Sequence, residues 1–190
     1  MPPQSDSRVR YVFDAKSSQF TVQAFAEGLA GIADHRPRFA IRDFSGEAEL
    51  NGGRLDAATL QMSVTLGSLA IMDEVSEADR RAIERSMFEE VLETRKYPAV
   101  VLKSSRVTSS PVGENRYRVT VVGVVTLHGR SNQHSVEAQV VTSEDSLRVY
   151  GDFRLRQTDY GIKIASVAGG TVRIKDEVKL VFFLVARKQD

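Results

Sequence analysis

Apolar and polar residues alternate with period two along most of this 190-residue chain, and this pattern constrains the fold more than any other feature. Successive side chains of a strand point to opposite faces, so alternation marks strands with one face buried and one in water. Phe20, Val22 and Ala24 share a face, opposite Thr21 and Gln23. Phe39 and Ile41 alternate with Ala40 and Arg42, and the pattern runs on through Phe44 and Gly46 to Leu50. Asn51-Gly52-Gly53 supplies a hairpin turn, because these residue types reach positive φ at little cost. Leu60, Met62, Val64 and Leu66 face away from Gln61, Ser63 and Thr65. Ala99–Ser104 reads as a short strand and Pro111–Asn115 as a turn. Tyr117, Val119, Val121, Gly123, Val125 and Leu127 form one face of a long strand. His128-Gly129-Arg130 turns the chain into Val136, Ala138 and Val140, and Leu147, Val149, Gly151, Phe153 and Leu155 follow. Gly169-Gly170 marks a flexible connection before the last strand, Val178–Arg187.

One segment departs from period two. Between Val75 and Thr94 the apolar residues are Ala78, Ala82, Ile83, Met87, Val91 and Leu92, which is helical spacing. Ser76 and Asp79 form a capping box at its start, and Tyr97-Pro98 ends it because the residue before proline avoids helical backbone. Its outer face mixes Arg80, Arg81 and Arg85 with Glu77, Asp79, Glu84 and Glu89, the pattern of a solvated surface.

About eight strands and one helix, with no second composition regime, predict one all-β domain. Long apolar strands such as the one containing Leu180–Ala186 aggregate at an open edge, so an antiparallel barrel is favoured over an open sheet. The domain is expected over 11–187, behind a disordered tail at 1–10. The chain has no cysteine, which excludes disulfides, thiol catalysis and cysteine-ligated metal. Its net charge of +1 provides no footprint for nucleic acid. Leu180–Ala186 is too short an apolar run to span a membrane as a helix. The first ten residues lack the apolar core of a secretion signal, from which a cytoplasmic location is expected.

Four stretches, in order, resemble the YceI-like family of lipocalin-like polyisoprenoid-binding proteins. They are Tyr11-Val-Phe-Asp14 leading into Ser17-Ser18; Asp34-His35-Arg-Pro37 through Arg42-Asp43-Phe44-Ser45-Gly46; Val91-Leu92-Glu93 to Tyr97-Pro98 and Ser104; and Gly123-Val-Val-Thr126-Leu-His128-Gly129, followed by Asp159-Tyr160-Gly161-Ile162 and Asp176-Glu177-Val178. The resemblance implies a lipocalin-like barrel whose apolar tunnel holds an isoprenoid or another long-chain amphiphile. It also points to a homodimer. The sequence holds no G-x-S-x-G elbow, H-E-x-x-H helix or G-x-x-x-x-G-K-[ST] loop, so no catalysis and no cofactor are expected. Three positions depart from the family pattern: Ser17 stands where a His is usual, Asp34 where a subgroup has Gly, and Gln157 where many members have Arg. A neutral Gln157 weakens the case for a pyrophosphate ligand.

The residues expected to face the ligand are Phe20, Val22, Ala24, Phe39, Ile41, Met62, Val64, Val121, Val125, Phe153 and Leu155. A barrel of about eight strands has just enough interior for packed side chains or one small ligand. Ala24, Gly123, Ala138 and Gly151 are small inward residues that leave room, whereas bulky neighbours such as Phe20 and Phe153 would fill it. Both a hollow and a filled barrel remain open at this point. His35 and Asp159 are the polar residues expected at the mouth, as loop-tying groups or as contacts to a polar head. His128 and His134 flank a turn and have no evident acidic third ligand, so no metal site is expected. Three functional classes follow. The first is a carrier, sequestering or sensing protein for a long-chain lipid; the second is a dry barrel used for protein interaction or dimerisation. The last is an enzyme acting on a bound amphiphile through His35 or Asp159.

Overall fold

The computed structural model describes residues 7–28, 36–164, 166–167 and 172–190. Among these, eight long strands close into an antiparallel barrel in simple chain order. They are β1 (Arg8–Phe13, resuming as Gln19–Gln23), β2 (Arg38–Ile41, resuming as Phe44–Asn51), β3 (Ala58–Thr65, resuming as Leu69–Ile71), β4 (Ala99–Gly113), β5 (Arg116–Leu127), β6 (Arg130–Thr142), β7 (Ser146–Arg156) and β8 (Glu177–Gln189). Each strand pairs with the next, and β8 returns to β1 through Phe13↔Ala186 in the first half of β1 and Phe20↔Phe182 in the second. The first strand begins at Arg8. A small sheet of Ala26–Gly28, Ser166–Val167 and Val172–Ile174 sits apart from the ring. Gly169-Gly170 lies outside the described residues.

The three breaks in β1, β2 and β3 are built, not frayed. At the β1 break, Asp14 Oδ1 accepts from the amides of Lys16 and Ser17, and Asp14 Oδ2 from the Ser17 hydroxyl at 2.7 Å and Arg187 Nε at 2.9 Å. The Ser17 hydroxyl and the Arg187 guanidinium hold the Asp14 carboxyl at about 2. Ser18 completes the joint by donating to Asp14 O and accepting from the Val185 amide. The β2 and β3 breaks lie side by side: Thr65 donates its hydroxyl to Asp43 Oδ2 at 2.8 Å, and Asp43 donates its amide to Ser68 Oγ at 3.0 Å.

β4 differs from the sequence expectation. It is a single strand from Ala99 to Gly113, and the turn is confined to Glu114 and Asn115. A bulge between Ser104 and Arg106 shifts the register against β5, so Leu102 opposes Val125 while Val107 opposes Val121. The inward set therefore changes from even to odd numbers within one strand, which hides its alternation.

Helix α1 (Glu77–Arg85) continues in a wider turn through Val91, with the Leu92 amide donating to Met87 O. Ser76 caps it, accepting from the Asp79 amide at 3.1 Å and donating to Asp79 Oδ2 at 2.6 Å. Among the described residues, no helix is long and apolar enough to cross a membrane.

Candidate functional site

The barrel interior divides into two regions. At the end holding the β2–β3, β4–β5 and β6–β7 turns, Tyr11, Leu50, Val107, Val119, Val140, Leu147 and Ala186 are buried and pack together. Toward the other end lies an apolar cavity of about 650 Å³. Strand pairing stops early on two sides of it. β6 and β7 pair only as far as Ala138↔Gly151, and the second half of β3 has no β4 partner beyond Thr65↔Ala99. α1 fills the β3–β4 gap, turning Ala82, Ile83, Ser86 and Met87 toward the cavity at i, i+1, i+4 and i+5. Val91 and Leu92 extend that wall.

All eleven residues expected to face a ligand line this cavity: Phe20, Val22, Ala24, Phe39, Ile41, Met62, Val64, Val121, Val125, Phe153 and Leu155. Several of them, including Phe39, Val121 and Phe153, remain half-exposed although they point inward. Of the four small inward residues, Ala24 and Ala138 line the cavity. Gly123 and Gly151 do not open it. A Cβ on Gly123 would lie 2.7 Å from Lys103 O and 3.1 Å from Leu102 Cδ1, and one on Gly151 would lie 2.8 Å from Glu137 O and 3.0 Å from Phe182 Cζ. These glycines admit the backbone of the adjacent strand together with a neighbouring side chain, so the hollow arises elsewhere. The sequence reading missed the inner face of α1 as a wall. It also missed Leu180 and Phe182 of β8, because the outward Val181 and Phe183 make both faces of that strand apolar.

The turn after β7 closes the β6–β7 gap. Tyr160 is fully buried there, and its hydroxyl lies 2.6 Å from His134 Nε2 with the two rings stacked. Burial lowers the His134 pKa and raises that of Tyr160. His128 reaches the Tyr160 carbonyl through Nδ1 at 3.3 Å and Glu93 Oε2 through Nε2 at 2.7 Å, tying the helix end to the same turn. Gly161 ends the turn at φ +68°, where a Cβ would also meet the Arg130 guanidinium. Asp159 is exposed and does not line the cavity; its carbonyl accepts from Asn132 Nδ2. Gln157, two residues earlier, does line it. His35 lies outside the described residues.

A family model for the YceI-like domain matches residues 11–186. The chain belongs to the YceI-like family. Among solved structures, BcnA of Burkholderia cenocepacia shares 18% identity at a TM-score of 0.67, covering 91% of this chain and 98% of that one. A polyisoprenoid binding domain from Saccharophagus degradans, implicated in plant cell wall breakdown, shares 16% at 0.68, covering 94% and 98%. The Campylobacter jejuni YceI protein shares 10% at 0.60, covering 79% and 84%. At these identities the likeness is one of fold. No curated protein matches the chain.

The polar residues of the YceI-like motifs serve the barrel's joints. Asp14 and Ser18 fix the β1 break, Asp43 joins the β2 and β3 breaks, and Ser104 Oγ accepts from the Leu60 amide at 2.8 Å. The Tyr97 ring packs against His128 at a tilt of 48°, and Asp176 accepts from both the amide and the hydroxyl of Thr158. At the first departure from the family pattern, Ser17 stays in the same joint, accepting from Arg187 Nη2 at 3.2 Å.

Proposed function

We propose that this protein binds the apolar chain of an isoprenoid or similar long-chain amphiphile without transforming it, as a carrier, store or sensor. The observation that supports the reading is a large cavity whose lining, among the described residues, includes three polar side chains, Asp79, Ser86 and Gln157. Its volume falls within the usual range for small-molecule sites, roughly 300–1,000 Å³. Half-exposed side chains such as Phe39, Val121 and Phe153 leave apolar surface unburied that a chain-like ligand would cover. Covering several hundred Å² is worth on the order of 10 kcal/mol gross, at about 25 cal/mol per Å². Ordering and association costs take a large share of it, which leaves micromolar or tighter affinity. The solved polyisoprenoid binding domain with this fold supports the same ligand class. In this reading His128, bound through both ring nitrogens to Tyr160 and Glu93, and His134, bound through Nε2 to the Tyr160 hydroxyl, hold the wall of the cavity together.

The test is native mass spectrometry of gently purified protein, followed by organic extraction and identification of what is released. A stoichiometric long-chain species is expected. A bare protein mass that persists after incubation with prenyl and fatty-acyl lipids would sink the proposal in favour of an interaction module.

A further inference from the structure

We infer that the ligand enters and leaves the barrel sideways, through the β3–β4 gap beneath α1, and that α1 is a flap hinged at the wide turn and latched by Arg80. This rests on the reading of the cavity above and concerns only the route into it. Of the described residues that line the cavity, Asp79 and Ala82 alone are exposed, and both belong to α1. The hollow therefore meets water along this helix. At the β6–β7 gap, by contrast, Tyr160 is fully buried and bonded to both His134 and His128, so that gap is locked.

The helix is loosely held before the wide turn and firmly held in it. No side chain of Glu77–Arg85 is buried. The apolar side chains of this segment that pack on the buried core are Met87, Phe88, Val91 and Leu92, all in the wide turn or next to it. Among the described residues, one hydrogen bond ties Glu77–Arg85 to a strand, from Arg80 Nη1 to Ile71 O at 2.9 Å. Arg81 pairs with Glu77 on the helix itself. The ground on either side is fixed. Before the helix, the Met72 amide donates to Arg38 O at 2.9 Å, and Asp73 Oδ2 accepts from the Arg38 amide at 3.0 Å. After it, Thr94 donates its amide and hydroxyl to Phe88 O, and Glu93 holds His128. A helix bends readily where its turn widens, so α1 can swing about Ser86–Val91 while both flanks stay in place. Arg80 sets how often it does. The latch acts on opening in free and loaded protein alike, so its loss speeds entry and exit together and leaves affinity unchanged.

The test follows binding of N-phenyl-1-naphthylamine to the delipidated full chain by stopped-flow fluorescence. Arg80→Met keeps an apolar stem and removes the donor. Its association and dissociation rates should both rise about fivefold or more, with the dissociation constant within about twofold of wild type. Arg80→Lys, which keeps a donor, should restore slow exchange, and Arg81→Met should leave the rates at their wild-type values. The chain has no cysteine, so Ala82→Cys can be labelled alone. A polyethylene glycol maleimide there should slow both rates at least tenfold, and the same label on Thr108→Cys, exposed on the outer face of β4, should not. Wild-type rates in folded Arg80→Met remove the flap, and unhindered entry past the label on Ala82→Cys removes the portal; either result overturns the inference while leaving the cavity standing. Faster exchange in Tyr160→Phe than in Arg80→Met moves the route to the β6–β7 gap and overturns it as well. Failure of the probe to bind wild type overturns the cavity reading, and this inference with it. The label test stands without the Arg80 variants.

Discussion

Strand β7 runs through both regions of the barrel within a few residues. Leu147 is 4% exposed and packed, whereas Phe153, on the same face beyond the last β6–β7 pair, is partly exposed and lines the cavity. The residue types do not differ in kind between the two regions. The pairing does. Around Leu147 each strand is hydrogen-bonded to both neighbours, and the opposed side chains meet across the axis. Beyond Ala138↔Gly151 the β6 and β7 strands part, and beyond Thr65↔Ala99 so do β3 and β4. The wall there is widened by α1 and by the Tyr160 turn. A β-barrel can thus be made hollow by ending its hydrogen-bond ladders early rather than by shrinking its inward side chains.

The contrast breaks most visibly if a charge is placed in the hollow. Phe153→Glu should fold and lose all retained lipid, read by extraction and mass spectrometry; lipid at wild-type stoichiometry in the folded variant would remove Phe153 from the pocket. Truncating one leucine in each region compares them directly by urea denaturation of delipidated protein. Leu147→Ala should cost about 3 kcal/mol, since the packed end cannot collapse around the void. Leu180→Ala, which enlarges a space already present, should cost about 1 kcal/mol. Equal losses would mean that the two regions are packed alike. Adding volume should reverse the order: Val119→Phe should cost about 2 kcal/mol by overpacking, and Val121→Phe, two residues along the same face, should stay close to wild type while lowering ligand capacity.

The smallest effect concerns the joint outside both regions. Asp14 has its pKa lowered to about 2, below the ordinary carboxylate range, by the Ser17 hydroxyl and the Arg187 guanidinium. Its contribution to stability is therefore complete above about pH 4 and lost as pH falls toward 2. Asp14→Asn should melt below wild type at neutral pH, and the two melting curves should converge across that acid window. A gap that stays constant down to pH 2 would show that the Asp14 charge does not hold the joint.

Much of this was legible because period-two alternation is a direct image of strand geometry. Phe20, Val22 and Ala24, or Val121 and Val125, can share a face only if the chain is extended there. Alternation also placed Gly123 and Gly151 inward, but it carries no information on what a missing side chain admits. Leu102 and Phe182 occupy that space from other strands. The Ser105 bulge exchanged the faces of β4 in a way that local pattern conceals. The contact of Glu93 with His128 joins residues 35 apart and depends on how the helix docks, which no local signal encodes. The hollow itself depends on where pairing ends, a property of strand partners rather than of any one strand.

The closure between β1 and β8 has a consequence in time. Asp14 and Arg187 are 173 residues apart, so the clasp that joins the first strand to the last is unavailable until Arg187 has left the ribosome. Until then the sheet is an open trough with an apolar floor, and its closing step must gather the most distant contacts in the sequence, which makes it slow. During synthesis the nascent chain exposes to its surroundings the very surface it later encloses, and in that interval a hydrophobic guest could settle without passing any mouth at all.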